Sequence, residues 1–169
     1  GGGGWGGVGG RGGRDGEARL GTAVGGEGAA AGMRVDHAGR ETARQCTGGV
    51  RPVAPAAVPC PMYREVPRAL EAGEIEALVE SFASAARRAV AAGYDAVELH
   101  GAHGYLLGSF LSPAANHRPA ACAGSPHTRL RFPLAVLRAA TAALRAPPLI
   151  SASPAPRHRV PGPVPLARR

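Results

Sequence analysis

The sequence contains no lysine, one asparagine (Asn116), one glutamine (Gln45) and few aromatic residues, which make up 4% of the chain. All of its basic side chains other than histidine are therefore arginines, and the formal net charge is +8. So basic a balance ordinarily suggests a nucleic acid or an acidic surface as partner. Because the arginine excess accompanies an excess of glycine, alanine and proline, we interpret it as a coding bias that gives little support for such a partner.

Cysteines and long apolar runs are also scarce. The three cysteines, Cys46, Cys60 and Cys122, are an odd number without CxxC spacing, which argues against a disulfide framework and a zinc knuckle. No apolar run reaches the ~18–20 residues that a membrane span needs. The first residues also lack the charged-then-apolar pattern of a secretory signal. These absences predict a protein of the reducing cytoplasm with no membrane partner.

Glycine and proline, in contrast, are abundant, with 26 and 16 residues in a chain of 169. Residues 1–32 are of low complexity and are predicted to be disordered, because they bury too little apolar surface to offset backbone entropy. Their GGRGGR piece resembles arginine–glycine repeats that bind RNA, but one copy without interleaved aromatic residues makes RNA binding a remote alternative. The proline- and arginine-rich residues 154–169 are predicted to be an unstructured tail. Residues 33–153 are left as the folded part.

Within residues 33–153 the pattern is that of an α/β fold. Residues 71–92 repeat apolar positions every 3.6 residues and end at Gly93, which predicts an amphipathic helix with a glycine cap. Residues 95–99 follow as a strand, with an apolar character that suggests burial on both faces of a parallel sheet. A second helix is predicted over residues 129–144 and strands over 33–36 and 149–152. The proline-rich residues 40–70 are predicted to be a long loop, of the kind that covers an active site.

The densest chemistry lies between Tyr94 and Arg118. His100 directly follows the predicted strand, at the end where ligands bind in parallel sheets, and His103 and Tyr105 lie in the turn beyond it. Imidazole N–H groups can polarise a carbonyl oxygen, and a phenol can act as a general acid. Two alternatives stay open on spacing alone. The His-x-x-His pair can hold a metal, although no third ligand is suitably spaced, or all three side chains can be structural.

Several ordered segments resemble the old yellow enzyme family of FMN-dependent oxidoreductases, in the branch of NADH:flavin oxidoreductases and 2,4-dienoyl-CoA reductase. The similarity spans roughly residues 33–145. It is carried by HAGRET (37–42), TGGVRPVAPAAVPC (47–60), EVPRAL (65–70), GYDAVELHGAHGYLLGSFLSPAANHR (93–118) and RLRFPLAVLRA (129–139).

This resemblance implies a (β/α)8 TIM barrel that holds FMN at its C-terminal face, with NAD(P)H as the reductant and a small enone or enoyl compound as the substrate. It implies that His100 and His103 bind the substrate carbonyl oxygen and that Tyr105 donates the proton. Ala54 and Pro55 would lie along the flavin. Arg34 stands at the flavin-contacting position where the family usually has glutamine. No metal ligand is implied.

Besides Arg34, two further features depart from the family pattern. Residues 119–125 (PAACAGS) replace its usual Thr-Asp-Glu-Tyr-Gly-Gly-Ser, and residues 149–152 lack the arginine that usually faces the flavin. A full barrel also needs ~250 residues, so the sequence predicts a partial barrel comprising about strands 3 to 5. We therefore expect a truncated or degenerate oxidoreductase that does not form a stable flavin-loaded enzyme by itself. The alternative is a non-catalytic barrel fragment, or pseudo-enzyme, that does not bind flavin.

Overall fold

The computed structural model describes residues 11–118, 122–144 and 149–152. The unstructured tail predicted for residues 154–169 and the disorder predicted for residues 1–10 lie outside this part. The elements in chain order are α1 (Arg11–Gly26), β1 (Gly32–Val35), a 3-10 turn (Arg44–Cys46), β2 (Val53–Ala54), β3 (Arg68–Ala69), α2 (Ala72–Ala91), β4 (Ala96–Leu99), α3 (Leu106–Leu111), α4 (Pro126–Arg129), α5 (Arg131–Ala142) and β5 (Leu149–Ala152).

A parallel sheet in the order β1-β4-β5 forms the centre of the fold. Val35 pairs with Leu99 and Leu99 with Ala152, so the three strands end together at one edge of the sheet. The α/β class and the parallel sheet predicted from the sequence are confirmed. In β4, Val97 and Leu99 are buried but Ala96 and Glu98 are only half-buried. The prediction of burial on both faces is therefore wrong for the face that carries Glu98.

Helix α2 covers the buried face of the sheet, as its apolar stripe predicts. Glu71 and Glu74 form a reciprocal capping box at its start. Its Leu78 and Phe82 join a core that also contains Val97 of β4 and Val136 of α5. The helix is followed by Gly93 in a left-handed conformation with φ of 88°.

The second helix, predicted over residues 129–144, is present as α5, and the short α4 precedes it. Ser125 caps the short α4 by accepting a hydrogen bond from the Thr128 backbone N–H at 3.2 Å. Helix α5 then begins at Arg131, which places Pro133 in its first turn, where the missing N–H costs nothing. Phe132 of α5 packs against Phe110 of α3 with ring centroids 4.4 Å apart.

The prediction of disorder is wrong for residues 11–26, which form α1. Gly21 is buried against the end of α2, where a Cβ atom on it would lie 3.1 Å from the Ala92 carbonyl oxygen. Val24 also packs against the core. Contacts with residues far away in the sequence therefore stabilise α1. The low-complexity composition of residues 1–32 gives no sign of these contacts.

The segment between β1 and α2 is largely loop, as predicted, and carries a separate two-stranded parallel sheet. Strands β2 and β3 pair through the hydrogen bonds from Arg68 N to Pro52 O at 2.8 Å and from Leu70 N to Ala54 O at 2.9 Å. Val53 joins the same core as Leu99. The second sheet therefore contributes to the core that also contains residues of the main sheet. None of the described helices is long and apolar enough to cross a membrane.

Candidate functional site

His100 lies at the end of β4 and is 4% exposed. Its backbone N–H donates to the Val35 carbonyl at 3.0 Å, which extends the ladder between β1 and β4 by one residue. The ring nitrogen Nδ1 is buried and has no hydrogen-bond partner among the described residues. A buried polar atom left without a partner costs free energy, so this atom is a natural point for a ligand to bind.

His103 is held beside His100 by an unusual backbone conformation. Its φ is 55°, in the left-handed region that few non-glycine residues adopt, and Gly104 follows with φ of 79°. This turn places His103 Nδ1 3.1 Å from His100 Nε2, with the ring centroids 5.0 Å apart. His103 is exposed to solvent. The two imidazoles therefore form one hydrogen-bonded pair, with a buried and an open end.

Tyr105 completes the group at the start of α3. Its ring meets the His100 ring edge-on, at a centroid distance of 5.0 Å and an interplanar angle of 80°. It is half-buried, and its carbonyl accepts the Ser109 N–H at 2.7 Å in the first turn of α3. The structure thus brings together all three residues that the sequence placed in the central stretch.

The loop after β1 holds this helix in place. The Leu106 N–H donates to the His37 carbonyl at 2.9 Å, and the Gly39 N–H donates to His37 Nδ1 at 2.9 Å. A Cβ atom on Gly39 would lie 3.0 Å from Leu106 N. Burial lowers the pKa of His37 to about 4, so the ring is neutral above that pH. The sequence alone assigns His37 no role. The His-x-Gly spacing of its HAGR motif is the one feature that could have indicated the hydrogen bond between His37 and Gly39.

Ala54 and Pro55 are both buried, at the carboxyl end of β2. The Pro55 carbonyl accepts a hydrogen bond from Arg118 Nη1 at 3.0 Å, and the same nitrogen donates to the Leu70 carbonyl. In the sequence, Arg118 is marked only as the end of a motif. Its partners lie 63 and 48 residues away, and nothing in the residue spacing indicates them.

Arg34 lies on the β1 strand and pairs with Glu98 of β4 at 2.8 Å between Nε and Oε2. Because side chains alternate along a strand, Glu98 and His100 lie on the same face of the sheet. The side chain of Arg34 is 56% exposed. The predicted flavin-contacting position therefore carries a partly exposed ion pair beside the histidine group.

The chemistry of this edge suits the ring of a flavin and a small carbonyl compound. It offers imidazole and phenol donors, and a buried acceptor or donor in His100 Nδ1. The apolar Ala54–Pro55 segment lies at the carboxyl end of β2 in the small sheet. In the part of the chain that the structure describes, no three histidine, cysteine or acidic side chains are grouped to hold a metal ion.

The sequence profile of the NADH:flavin oxidoreductase / NADH oxidase family matches residues 16–148. The chain belongs to this family. The resemblance to old yellow enzymes is thereby confirmed, and the matched region includes most of α1.

Two curated relatives illustrate the similarity. The NADH oxidase of Thermoanaerobacter brockii is 47% identical over 119 residues, which are 70% of this chain and 18% of that protein. The NADPH dehydrogenase of Geobacillus sp. (strain WCH70) is 40% identical over 113 residues, 67% of this chain and 32% of the relative. This chain thus spans a third or less of the length of these relatives.

Among solved structures, morphinone reductase in complex with tetrahydroNAD superposes with a TM-score of 0.78 at 31% identity. The match covers 81% of this chain and 42% of that one. The likeness in fold therefore extends over most of the present chain and less than half of the neighbour.

Proposed function

We propose that this chain carries the substrate-binding and proton-donating part of an FMN-dependent NAD(P)H oxidoreductase of the ene-reductase type. The observation that supports this most is the packed group of His100, His103 and Tyr105 at the carboxyl edge of the parallel sheet. Ligands bind at this edge in α/β sheets. The substrate is a small enone or enoyl compound, whose carbonyl oxygen gains charge as the alkene is reduced.

The histidine pair limits how that oxygen is bound. Two neutral imidazoles have one N–H each, and one of these is used between His103 Nδ1 and His100 Nε2. One N–H is then left, either at His103 Nε2 or at His100 Nδ1, depending on the tautomers. A carbonyl oxygen held by both rings requires the bond between them to open. Binding of the oxygen by both rings therefore competes with the hydrogen bond between them.

When bound along Ala54, Pro55 and Arg34, a flavin reduced by NAD(P)H would supply the hydride that the β-carbon of the alkene accepts. Tyr105 donates its phenolic proton to the α-carbon, and water returns a proton to the phenolate afterwards. The edge-on contact with His100 holds the Tyr105 ring beside the histidine pair. General acid catalysis of this kind contributes ~10²–10⁴-fold to the rate.

Ala54, Pro55 and Arg34 are the residues that we place along the flavin. Ala54 and Pro55 offer a buried apolar wall, and Arg34 offers a cation at the strand edge. We further propose that the β1-β4-β5 sheet is part of an eight-stranded barrel.

A second candidate is a non-catalytic member of the family, and the Arg34–Glu98 ion pair favours it. This pair places two charged groups, one of them more than half exposed, where the resemblance implies a neutral amide against the flavin. In that case His100, His103 and Tyr105 are present but have no role in a flavin-dependent reaction, because the chain does not bind flavin.

A titration with FMN separates the two candidates. The catalytic candidate requires that the purified chain binds FMN, with quenching of flavin fluorescence, and consumes NADH or NADPH when cyclohexenone is added. The sequence predicts instead that the chain by itself retains no stable flavin, and the titration decides between these expectations. Arg34→Gln should tighten FMN binding if the cation obstructs the ring, and Arg44→Gln, an exposed arginine paired with Glu65, serves as the control. Absence of FMN binding in both the native chain and the Arg34→Gln variant would favour the non-catalytic candidate.

A further inference from the structure

Arg118 bridges the carboxyl ends of β2 and β3, the two strands of the small sheet. Its Nη1 atom donates to the carbonyls of Pro55 and Leu70, and the first of these contacts is 3.0 Å long. Pro55 directly follows β2 and Leu70 directly follows β3. Since β2 and β3 are parallel, these two carbonyls lie at the same end of the small sheet, and one guanidinium group binds both.

These carbonyls depend on Arg118. Pro55 and Leu70 are both buried. A buried carbonyl without a partner is unfavourable, and a hydrogen bond from a charged donor is stronger than one from a neutral donor. The small sheet consists of two residues in each strand. So short a sheet has few hydrogen bonds between its strands. The two hydrogen bonds from Arg118 are therefore a large share of those that hold its carboxyl end together.

Arg118 is in turn fixed by Asn116. The Arg118 backbone N–H lies 3.4 Å from Asn116 Oδ1. Asn116 is 4% exposed, and its Nδ2 donates to the carbonyl of Phe110 at 2.8 Å and to that of Cys122 at 2.5 Å. Phe110 belongs to α3, the helix that Tyr105 begins. A continuous chain of hydrogen bonds therefore runs from α3 through Asn116 and Arg118 to Pro55.

We propose that Arg118 is a positioning residue that holds the Ala54–Pro55 wall in register with the His100–Tyr105 group. Its significance for catalysis rests on the proposed function, in which this wall lies along the flavin and that group binds the substrate. The arginine touches neither the substrate nor the reacting atoms. It acts by fixing the position of the Ala54–Pro55 wall relative to the His100–Tyr105 group, although the two come from segments far apart in the chain.

Amide hydrogen exchange on the full chain tests this without a cofactor. We expect Arg118→Ala to accelerate exchange roughly tenfold in peptides covering residues 53–58 and 68–71, because the bonds that fix the end of the small sheet are lost. Exchange in α2 and α5 should not change. Arg118→Lys, which keeps a charged donor, should recover most of the protection. Arg118→Gln replaces the alanine variant if that variant does not fold.

Arg129→Ala is the matched control. Arg129 also donates to two carbonyls, those of Leu111 at 2.9 Å and of Gly124, but to neither Pro55 nor Leu70. It should affect residues 111–124 and leave residues 53–58 protected. Unchanged exchange in Arg118→Ala, the same pattern in Arg129→Ala, or acceleration spread over α2 and α5 would overturn the positioning role.

An FMN titration of the same variants connects the inference to the proposed function. The dissociation constant for FMN should rise about tenfold in Arg118→Ala and return close to the native value in Arg118→Lys. Failure of the native chain to bind FMN would contradict the proposed function, and hydrogen exchange would still decide the role of Arg118. Tight FMN binding by Arg118→Ala, with local exchange accelerated, would overturn the proposal that the wall contacts the flavin.

Discussion

His103 Nδ1 lies 3.1 Å from His100 Nε2, and this contact exists because His103 adopts a left-handed backbone with φ of 55°. The side chain itself is exposed, so its burial does not offset the free-energy cost of this backbone conformation. Strain of this kind is typical of functional sites, where the surrounding structure imposes it. The backbone of the turn that follows β4 therefore imposes the contact between His100 and His103.

The backbone strain at His103 predicts a specific order of stability among its variants. His103→Gly should be as stable as the native chain or more stable, and His103→Asn should be close to it, because both residues tolerate a positive φ. His103→Val should lose about 1–3 kcal/mol of unfolding free energy, because β-branched residues disfavour this region. Urea unfolding measures all three. Equal stability of the valine and glycine variants would show that φ at this position is not constrained.

Gly39 is predicted to be the position at which a single methyl group displaces α3. Both Gly39 and Gly48 have a positive φ, 61° and 65°, so alanine costs about 1–2 kcal/mol at either from the backbone alone. At Gly39 the new Cβ also meets Leu106 N at 3.0 Å, whereas at Gly48 it meets nothing within 4 Å. We expect Gly39→Ala to lose about 1–3 kcal/mol more than Gly48→Ala in urea unfolding. Equal losses would mean that α3 is not held against this loop.

Burial of His37 predicts an acid-sensitive fold. The folded chain binds a proton on His37 near pH 4, the lowered pKa, whereas the unfolded chain binds it near the ordinary pKa of about 6.5. Between these values the unfolded state carries more protons, so stability falls as the pH is lowered from 6.5 to 4. The shift corresponds to a loss of about 3 kcal/mol across this window.

Urea unfolding at several pH values measures how much His37 contributes to the pH dependence of the unfolding free energy, with His37→Asn as the comparison. Asparagine can still accept the Gly39 N–H but does not titrate, so its stability should depend less steeply on pH between 4 and 6.5. Parallel pH profiles for the two chains would contradict the assignment to His37.

The sequence predicted the elements whose contacts are local or periodic. The apolar stripe of residues 71–92 and the run Ala96–Leu99 were sufficient for α2, β4 and the parallel α/β class, and the motif around His100 was sufficient for the family. Helix α1 was missed because its stabilising contact, Gly21 against Ala92, joins residues 71 positions apart. The role of Arg118 was missed for the same reason. The left-handed turn at His103 could not be predicted because a positive φ is uncommon for any non-glycine residue.

Proton donation by Tyr105 is the central claim, and the FMN-loaded chain with cyclohexenone tests it most directly. Stopped-flow reoxidation of the reduced flavin by this enone should be ~10²–10⁴-fold slower in Tyr105→Phe, while binding of a phenol at the histidine pair stays within a few-fold. Tyr63→Phe, which alters an exposed tyrosine in the loop between β2 and β3, should reoxidise at the native rate. A Tyr105→Phe variant that reoxidises as fast as Tyr63→Phe would contradict the account.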